Sequence, residues 1–169
     1  MSQKIFVLIR GPICAGKSSV VKDLKKIIPN SSHVAADAIK RSIDWRKATR
    51  WRSELAFKTV IFLTNELIKF ERNIIIDIHA SKLHEYEYYK NLAQENGYHF
   101  YSFLINAPLE VCLQRNKKRV IPDVDYVISD QEIIDYWQKT VNIDSELSFD
   151  SSKFRPKEIA VNICLKIKE

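Results

Sequence analysis

Short apolar runs alternate along the chain with longer segments in which apolar residues recur every three or four positions. The short runs, rich in Ile and Val, predict strands near 4–10, 32–36, 73–78, 98–105 and 145–150. The longer segments predict helices near 17–28, 38–50, 53–71, 82–96, 108–119, 130–140 and 156–167. Strands that alternate with helices in this way are typical of an α/β protein with a parallel sheet.

The third predicted strand indicates which end of the sheet carries chemistry. It is nearly all apolar, as expected of a strand covered by helices on both faces, and it ends in the carboxylate of Asp77. Ligands of open α/β sheets bind beyond the carboxyl ends of the strands. We therefore expect the first three strand ends to share one crevice, formed by Gly11–Ser18, Asp37 and Asp77–His79.

Length and composition fit one domain over residues 1–169. The chain has 169 residues, of which 46% are hydrophobic, and this is enough for a full core. Its longest apolar runs, such as 5–9, have five or six residues. Because about 20 are needed to cross a bilayer, we expect a cytoplasmic protein without a membrane partner.

The net charge of +6 predicts an anionic partner, and the basic residues are concentrated in two places. Between Lys40 and Arg52, six basic residues stand against Asp44 alone. Four more, with no acid among them, lie between Gln114 and Arg119. The basic charge is therefore local.

The stretch after the first strand predicts a phosphate-binding loop. It has the spacing G-x-x-x-x-G-K-S and lies between a predicted strand and a predicted helix, as this motif requires. Lys17 would reach the β- and γ-phosphates of a nucleotide, and the Ser18 hydroxyl would bind Mg²⁺. The predicted nucleotide-binding residues of this loop are Gly11, Pro12, Ile13, Cys14, Ala15, Gly16, Lys17, Ser18 and Ser19.

Two carboxylates follow the second and third strands. Asp37 lies where it could accept a proton from an attacking hydroxyl, as a phosphoryl transfer enzyme needs, and it is also a good helix N-cap. Asp77 closes its strand as a Mg²⁺-binding carboxylate would, directly or through water, or else it is a buried acid that caps the next helix. His79, two residues on, could contact an acceptor on the same side as Asp77.

Arg115 and Arg119 are four residues apart in a predicted helix and therefore share one face. One interpretation is a basic helix end in water. The other is a lid, over about 115–128, that closes on the phosphates and brings both arginines to the charge being transferred.

Taken together, these motifs resemble a known family. The loop at Gly11–Ser18, the carboxylates Asp37 and Asp77 and the RNKKR helix are similar to the P-loop, nucleoside-monophosphate-kinase-like phosphotransferases, and among them to the polynucleotide kinase and chloramphenicol phosphotransferase groups. The resemblance implies a five-stranded parallel sheet in the order 2-3-1-4-5 with helices on both faces. It also implies ATP and Mg²⁺ as cofactors.

The resemblance further assigns roles to single residues. Asp37 takes the role of general base, and Lys17, Arg115 and Arg119 join it as catalytic residues, with Arg115 also binding nucleotide. The acceptor would bind at a helical segment over about 38–71. Predicted contacts there and after the third strand are Lys40, Arg41, Trp45, Arg50 and His79.

The segment DWRKATRWRSE leaves the acceptor open. Arginines interleaved with tryptophans suit a single-stranded nucleic acid end, or the tryptophans anchor a helix whose arginines face water. Three hypotheses follow: a kinase for a small-molecule hydroxyl, a 5′-hydroxyl polynucleotide kinase, and an ATP-binding module without catalysis. We favour the first, because Lys40 stands where polynucleotide kinases have an arginine and because a pure binding module needs no base at Asp37.

Overall fold

The computed structural model describes residues 3–43, 49–79, 81–118, 128–143 and 146–169. Within these ranges the strands are β1 Ile5–Gly11, β2 Ser31–Ala35, β3 Asn73–His79, β4 His99–Asn106 and β5 Leu147–Asp150. The helices are α1 Lys17–Ile27, α2 Ala36–Ile43, α3 Arg50–Lys69, α4 Leu83–Glu95, α5 Leu109–Lys117, α6 Asp130–Gln138 and α7 Pro156–Lys168.

The five strands form one parallel sheet in the order β2-β3-β1-β4-β5. This confirms the predicted fold class and strand order. The central strand β1 is buried along its whole length. In the register of the sheet, Gly11 lies beside His79 and Ala35 beside Asp77. The carboxyl ends of β1, β2 and β3 therefore open on the same side.

Alternation along β1 divides the core between the two faces of the sheet. Ile5, Val7 and Ile9 point to the face covered by α1 and α7. Phe6 and Leu8 point to the opposite face, where buried side chains of α3 and α4 cover them. Each fully buried side chain of this size contributes about 1.5–3 kcal/mol of burial free energy. The two apolar layers hold β1 in place, and with it the loop that follows.

The predicted bounds of the helix over 38–50 are wrong. The helix α2 begins at Ala36 and ends at Ile43, whereas Arg50 is the first residue of α3. Thr49 has the extended backbone of a helix N-cap, with φ −127° and ψ 151°, so a new helix starts after it. Residues 44–48 lie outside the described ranges.

A fully buried ion pair joins β1 to the segment before β5. The Arg10 side chain is 0% exposed and that of Glu146 is 1% exposed, and their charged groups approach to 2.5 Å. Arg10 also donates to Val141 O at 2.8 Å, and Ser102 donates to Glu146. Burial raises the pKa of Glu146, and the contacts with Ser102 and Arg10 oppose that rise. The pair, with the bond to Val141 O, fixes Val141 and Glu146 against β1.

No described helix is both long enough and apolar enough to span a membrane.

Candidate active site

The backbone between β1 and α1 forms the predicted phosphate loop. At Gly11 a Cβ atom would lie 2.1 Å from Ile105 O, so no larger residue fits there. Gly16 has φ +94°, and Cys14, which is not a glycine, has φ +60°. A left-handed Cys14 is held against its own preference and needs outside contacts to keep it.

Lys17 folds back over this loop. Its ammonium group donates to Gly11 O and to Pro12 O, at 2.9 Å each. Burial lowers the pKa of Lys17, while the charges of Asp77 and Asp37 act in the opposite direction. The lysine, the loop and both carboxylates thus belong to one crevice, as the sequence predicts. Ser18 and Ser19, which follow at the start of α1, are exposed.

Asp37 lies in the first turn of α2, because that helix already begins at Ala36. The prediction that Asp37 is the N-cap of this helix is therefore wrong. Its carboxylate is 64% exposed and pairs with Lys40 Nζ at 3.3 Å. The partial loss of water around this carboxylate would by itself raise the pKa of Asp37. The charges of Lys40, His79 and Lys17 outweigh that effect and lower the pKa to about 2. Asp37 is therefore ionised at neutral pH.

Asp77, at the end of β3, has a partner on the neighbouring strand. His33 Nε2 and Asp77 Oδ1 are 3.0 Å apart, and both side chains are largely buried. A hydrogen on Nε2 would be donated to that oxygen, which leaves the second carboxylate oxygen for other contacts. The carboxylate is thereby oriented across the β2–β3 strand pair.

His79 lies next to the loop and contacts helix α6. Its ring stacks on that of Tyr136, with 4.9 Å between ring centroids and 26° between planes. Burial lowers the pKa of His79 to about 3, and the positive charge of Lys17 adds to this effect. Nδ1 is buried and has no hydrogen-bond partner among the described residues. His79 is therefore a neutral, aromatic part of the crevice wall.

Arg115 lies in α5 and contacts the outer side of the loop. Its Nη1 donates to Cys14 O at 3.3 Å and to Ser151 Oγ at 2.8 Å, and its Nη2 donates to Ser151 O at 2.7 Å. Ser151, just after β5, donates to Ala15 O at 2.6 Å. The structure thus places Arg115 at the predicted nucleotide site, in a regular helix. Its role in catalysis stays a prediction.

The remaining predicted residues are less well placed by the structure. Arg41 and Arg50 are exposed on α2 and α3. Trp45, Arg119 and most of the predicted lid, 119–127, lie outside the described residues. Among the described residues no three His, Cys, Asp or Glu side chains cluster as a metal site.

The loop, the strand order and the crevice agree with a family-level match. A family model described as an AAA domain matches residues 6–142. The chain belongs to this family. No curated protein matches this AAA domain in sequence.

Three solved structures share the fold of this AAA domain. The tunicamycin resistance protein of Deinococcus radiodurans has a TM-score of 0.64 at 14% identity, and the match covers 98% of this chain and 96% of that one. The APS kinase of Mycobacterium tuberculosis, solved with AMPPNP and APS, has a TM-score of 0.65 at 13% identity and full coverage of both chains, 100% each. A chain of the Pnkp1/Rnl/Hen1 RNA repair complex has a TM-score of 0.66 at 19% identity, with 83% of this chain and 45% of that one covered. These likenesses confirm that the AAA domain has the P-loop kinase fold.

Three residues of this AAA-domain site were missed by sequence reasoning. His33 had no evident partner in the sequence, because its contact with Asp77 depends on the register of β2 against β3. Tyr136 reaches the crevice from α6, and Ser151 reaches the outer side of the loop from the turn after β5. Ser151 lies 136 positions from Ala15 in the chain, so only the fold brings them together.

Proposed function

We propose that the chain is an ATP-dependent kinase that transfers the γ-phosphate to a hydroxyl group of a small-molecule acceptor. The observation that carries the proposal is the position of the Asp37 carboxylate, directly after β2 at the edge of the sheet where Lys17 folds over the phosphate loop. A module that only binds nucleotide needs the loop and Lys17, but it has no use for a carboxylate at Asp37.

In the proposed reaction the acceptor oxygen bonds to the γ-phosphorus as the bond from that phosphorus to the bridging oxygen of ADP breaks. The hydroxyl proton passes to the carboxylate of Asp37. Lys17 and the loop N–H groups stabilise the phosphate charge. Arg119 is retained in this proposal as a contact of a lid over about 115–128.

The donor groups present fit Mg²⁺. This ion prefers oxygen ligands and usually binds through one or two carboxylates together with phosphate oxygens. Ser18, at the exposed start of α1, and Asp77 would supply a hydroxyl and a carboxylate oxygen. When bound, Mg²⁺ would neutralise charge on the nucleotide phosphates.

Solved structures with this fold support a small acceptor. The APS kinase was solved with AMPPNP and APS, and it matches this chain over its full length. The crevice wall is also neutral at His79, and Lys40 is paired with Asp37. At His79 and Lys40 the proposed acceptor side therefore presents no unpaired positive charge to a polyanion.

The experiment is the substitution Asp37→Asn, tested for phosphate transfer from ATP–Mg²⁺ to a panel of nucleosides, sugars and antibiotic alcohols. We expect transfer to fall by about 10²–10⁴-fold, the usual contribution of a general base, with ATP affinity nearly unchanged. The matched control is Asp23→Asn, because Asp23 pairs with Lys26 three residues later on α1 just as Asp37 pairs with Lys40 on α2. Equal loss of transfer and of ATP binding in Asp37→Asn would show that Asp37 is structural.

A 5′-hydroxyl polynucleotide kinase is the second candidate. It is favoured by the exposed Arg41 on α2 and Arg50 on α3 and by the fold shared with the RNA repair chain. An oligonucleotide with a 5′-hydroxyl belongs in the same panel. If it accepts phosphate, its affinity should fall by about 10³-fold between 50 and 200 mM salt when about six phosphate contacts form. ATP binding without transfer to any acceptor would instead favour the module without catalysis.

A further inference from the structure

The outer side of the phosphate loop is held by two residues distant in sequence. Ser151 Oγ donates to Ala15 O at 2.6 Å and accepts a hydrogen bond from Arg115 Nη1 at 2.8 Å. Arg115 also donates to Cys14 O at 3.3 Å and to Ser151 O at 2.7 Å. Two consecutive loop carbonyls are thus bound from outside by one connected pair of side chains.

These contacts determine the direction of the loop N–H groups. In a trans peptide unit the carbonyl and the N–H point in opposite directions. A hydrogen bond that holds Ala15 O outward therefore turns Gly16 N–H inward, where a phosphate would bind. The bond from Arg115 to Cys14 O holds the peptide unit before it, whose Ala15 N–H donates to Pro12 O at 3.4 Å and closes the loop turn.

The loop needs such support because its backbone is unfavourable. Cys14 has φ +60°, a conformation that costs free energy for a residue with a side chain. Gly16, at φ +94°, has no side chain to pack and lies next to Arg115 and Ser151. A Cβ atom at Gly16 would be 3.6 Å from Arg115 Nη1 and 3.6 Å from Ser151 Oγ. The contacts that fix this segment therefore come from α5 and from the turn after β5.

We propose that Arg115 and Ser151 form a clamp that positions the loop for phosphate before nucleotide arrives. The inference rests on the proposed function, since it concerns the same nucleotide site. It assigns Arg115 a positioning role in place of direct contact with the transferring phosphate. It also gives Ser151 a role in nucleotide affinity.

The test measures the affinity for ADP–Mg²⁺ by calorimetry, and kcat and KM for ATP, in Ser151→Ala. We expect nucleotide affinity to fall about tenfold, the effect of losing one hydrogen bond, with kcat at saturating ATP within twofold of the parent. Ser151→Thr keeps the hydroxyl and should restore affinity. Ser152→Ala is the matched control, because the exposed Ser152 hydroxyl donates to Asp150 Oδ1 at 2.6 Å instead of to the loop.

The second variant is Arg115→Ala, alone and combined with Ser151→Ala. If the two residues act as one unit, their effects are not additive. The fold-loss of ADP–Mg²⁺ affinity in the double variant should then be smaller than the fold-losses of the two single variants multiplied together. A fall of about 10³ in kcat with unchanged ADP affinity in Arg115→Ala would overturn the proposal, since that is the signature of a transition-state arginine. Unchanged affinity in Ser151→Ala would overturn it as well.

The failure of the clamp and the failure of the kinase proposal are distinguishable. If the unsubstituted protein binds no ADP–Mg²⁺, the proposed function itself fails. If it binds ADP–Mg²⁺ and the variants bind equally well, only the clamp fails.

Discussion

The phosphate loop and the acceptor side of the crevice are built in different ways. The loop is backbone fixed from several sides: Gly11 against Ile105, Lys17 on the loop carbonyls, and Arg115 with Ser151 on the outside. The proposed acceptor side consists of side chains on α2 and at the end of β3, with Asp37 and Lys40 joined by one ion pair at 3.3 Å. The comparison indicates that more contacts fix the phosphate loop than fix the side chain of Asp37.

The largest expected effect is on the phosphate loop. We expect Gly11→Ala to lower the free energy of unfolding by about 3 kcal/mol or more, because its Cβ would lie 2.1 Å from the backbone oxygen of Ile105. Gly97→Ala is the control: Gly97 has φ +73° but nothing within 4 Å of the added atom. It should cost only the left-handed strain, about 1–2 kcal/mol. Urea denaturation measures both, and equal losses would show that the loop tolerates the contact.

A second expectation concerns the buried wall of the acceptor side. The folded protein has a pKa of about 3 for His79, below its ordinary value of 6.5. Between these values the unfolded chain binds a proton that the folded protein does not, so stability falls as pH falls through this window. The slope should be about 1 kcal/mol per pH unit.

The measurement is urea denaturation of the metal-free protein from pH 7 to pH 4. The loss of stability on acidification should be smaller in His79→Gln than in the unsubstituted protein. His99→Gln, at an exposed position, is the control for the loss of an imidazole. Identical slopes for all three proteins would mean that His79 titrates normally.

The smallest expected effect on activity is at the ion pair of Asp37 and Lys40. Removing Lys40 takes away the leading attraction that lowers the pKa of Asp37, so that pKa should rise in Lys40→Ala. The acid limb of the pH–rate profile should then move to higher pH, and kcat/KM for the acceptor should fall severalfold at most, since exposed pairs contribute about 0.2–1 kcal/mol. Lys26→Ala removes the equivalent partner of Asp23 and should change neither quantity. An unmoved acid limb would show that Asp37 is not the base that the profile reports.

The same contrast explains what could be predicted from the sequence. The strand order came with the family resemblance, and the position of the loop could be predicted because glycine spacing and apolar alternation encode backbone geometry locally. The crevice that joins Lys17, Asp37 and Asp77 followed from the rule that parallel strands end on one side.

Contacts between distant side chains could not be predicted in this way. The pairing of His33 with Asp77 depends on strand register, and the pairing of Arg115 with Ser151 depends on how α5 lies against the turn after β5. The extended backbone at Thr49 was also missed, because the amphipathic pattern of 38–50 continues through that residue. Local hydrophobic patterns predict the helices and strands, whereas the contacts of the site depend on how those helices and strands pack together.

The buried pair of Arg10 and Glu146 has a consequence for the order of folding. The two residues are 136 positions apart in a chain of 169, and both of their side chains are buried. Closing a loop of that length directly would cost about 4 kcal/mol of chain entropy. We therefore expect the pair to form late, once shorter loops have brought β3 and β4 beside β1. During synthesis, Arg10 can meet this carboxylate only after the 136 positions that separate the two residues have been made.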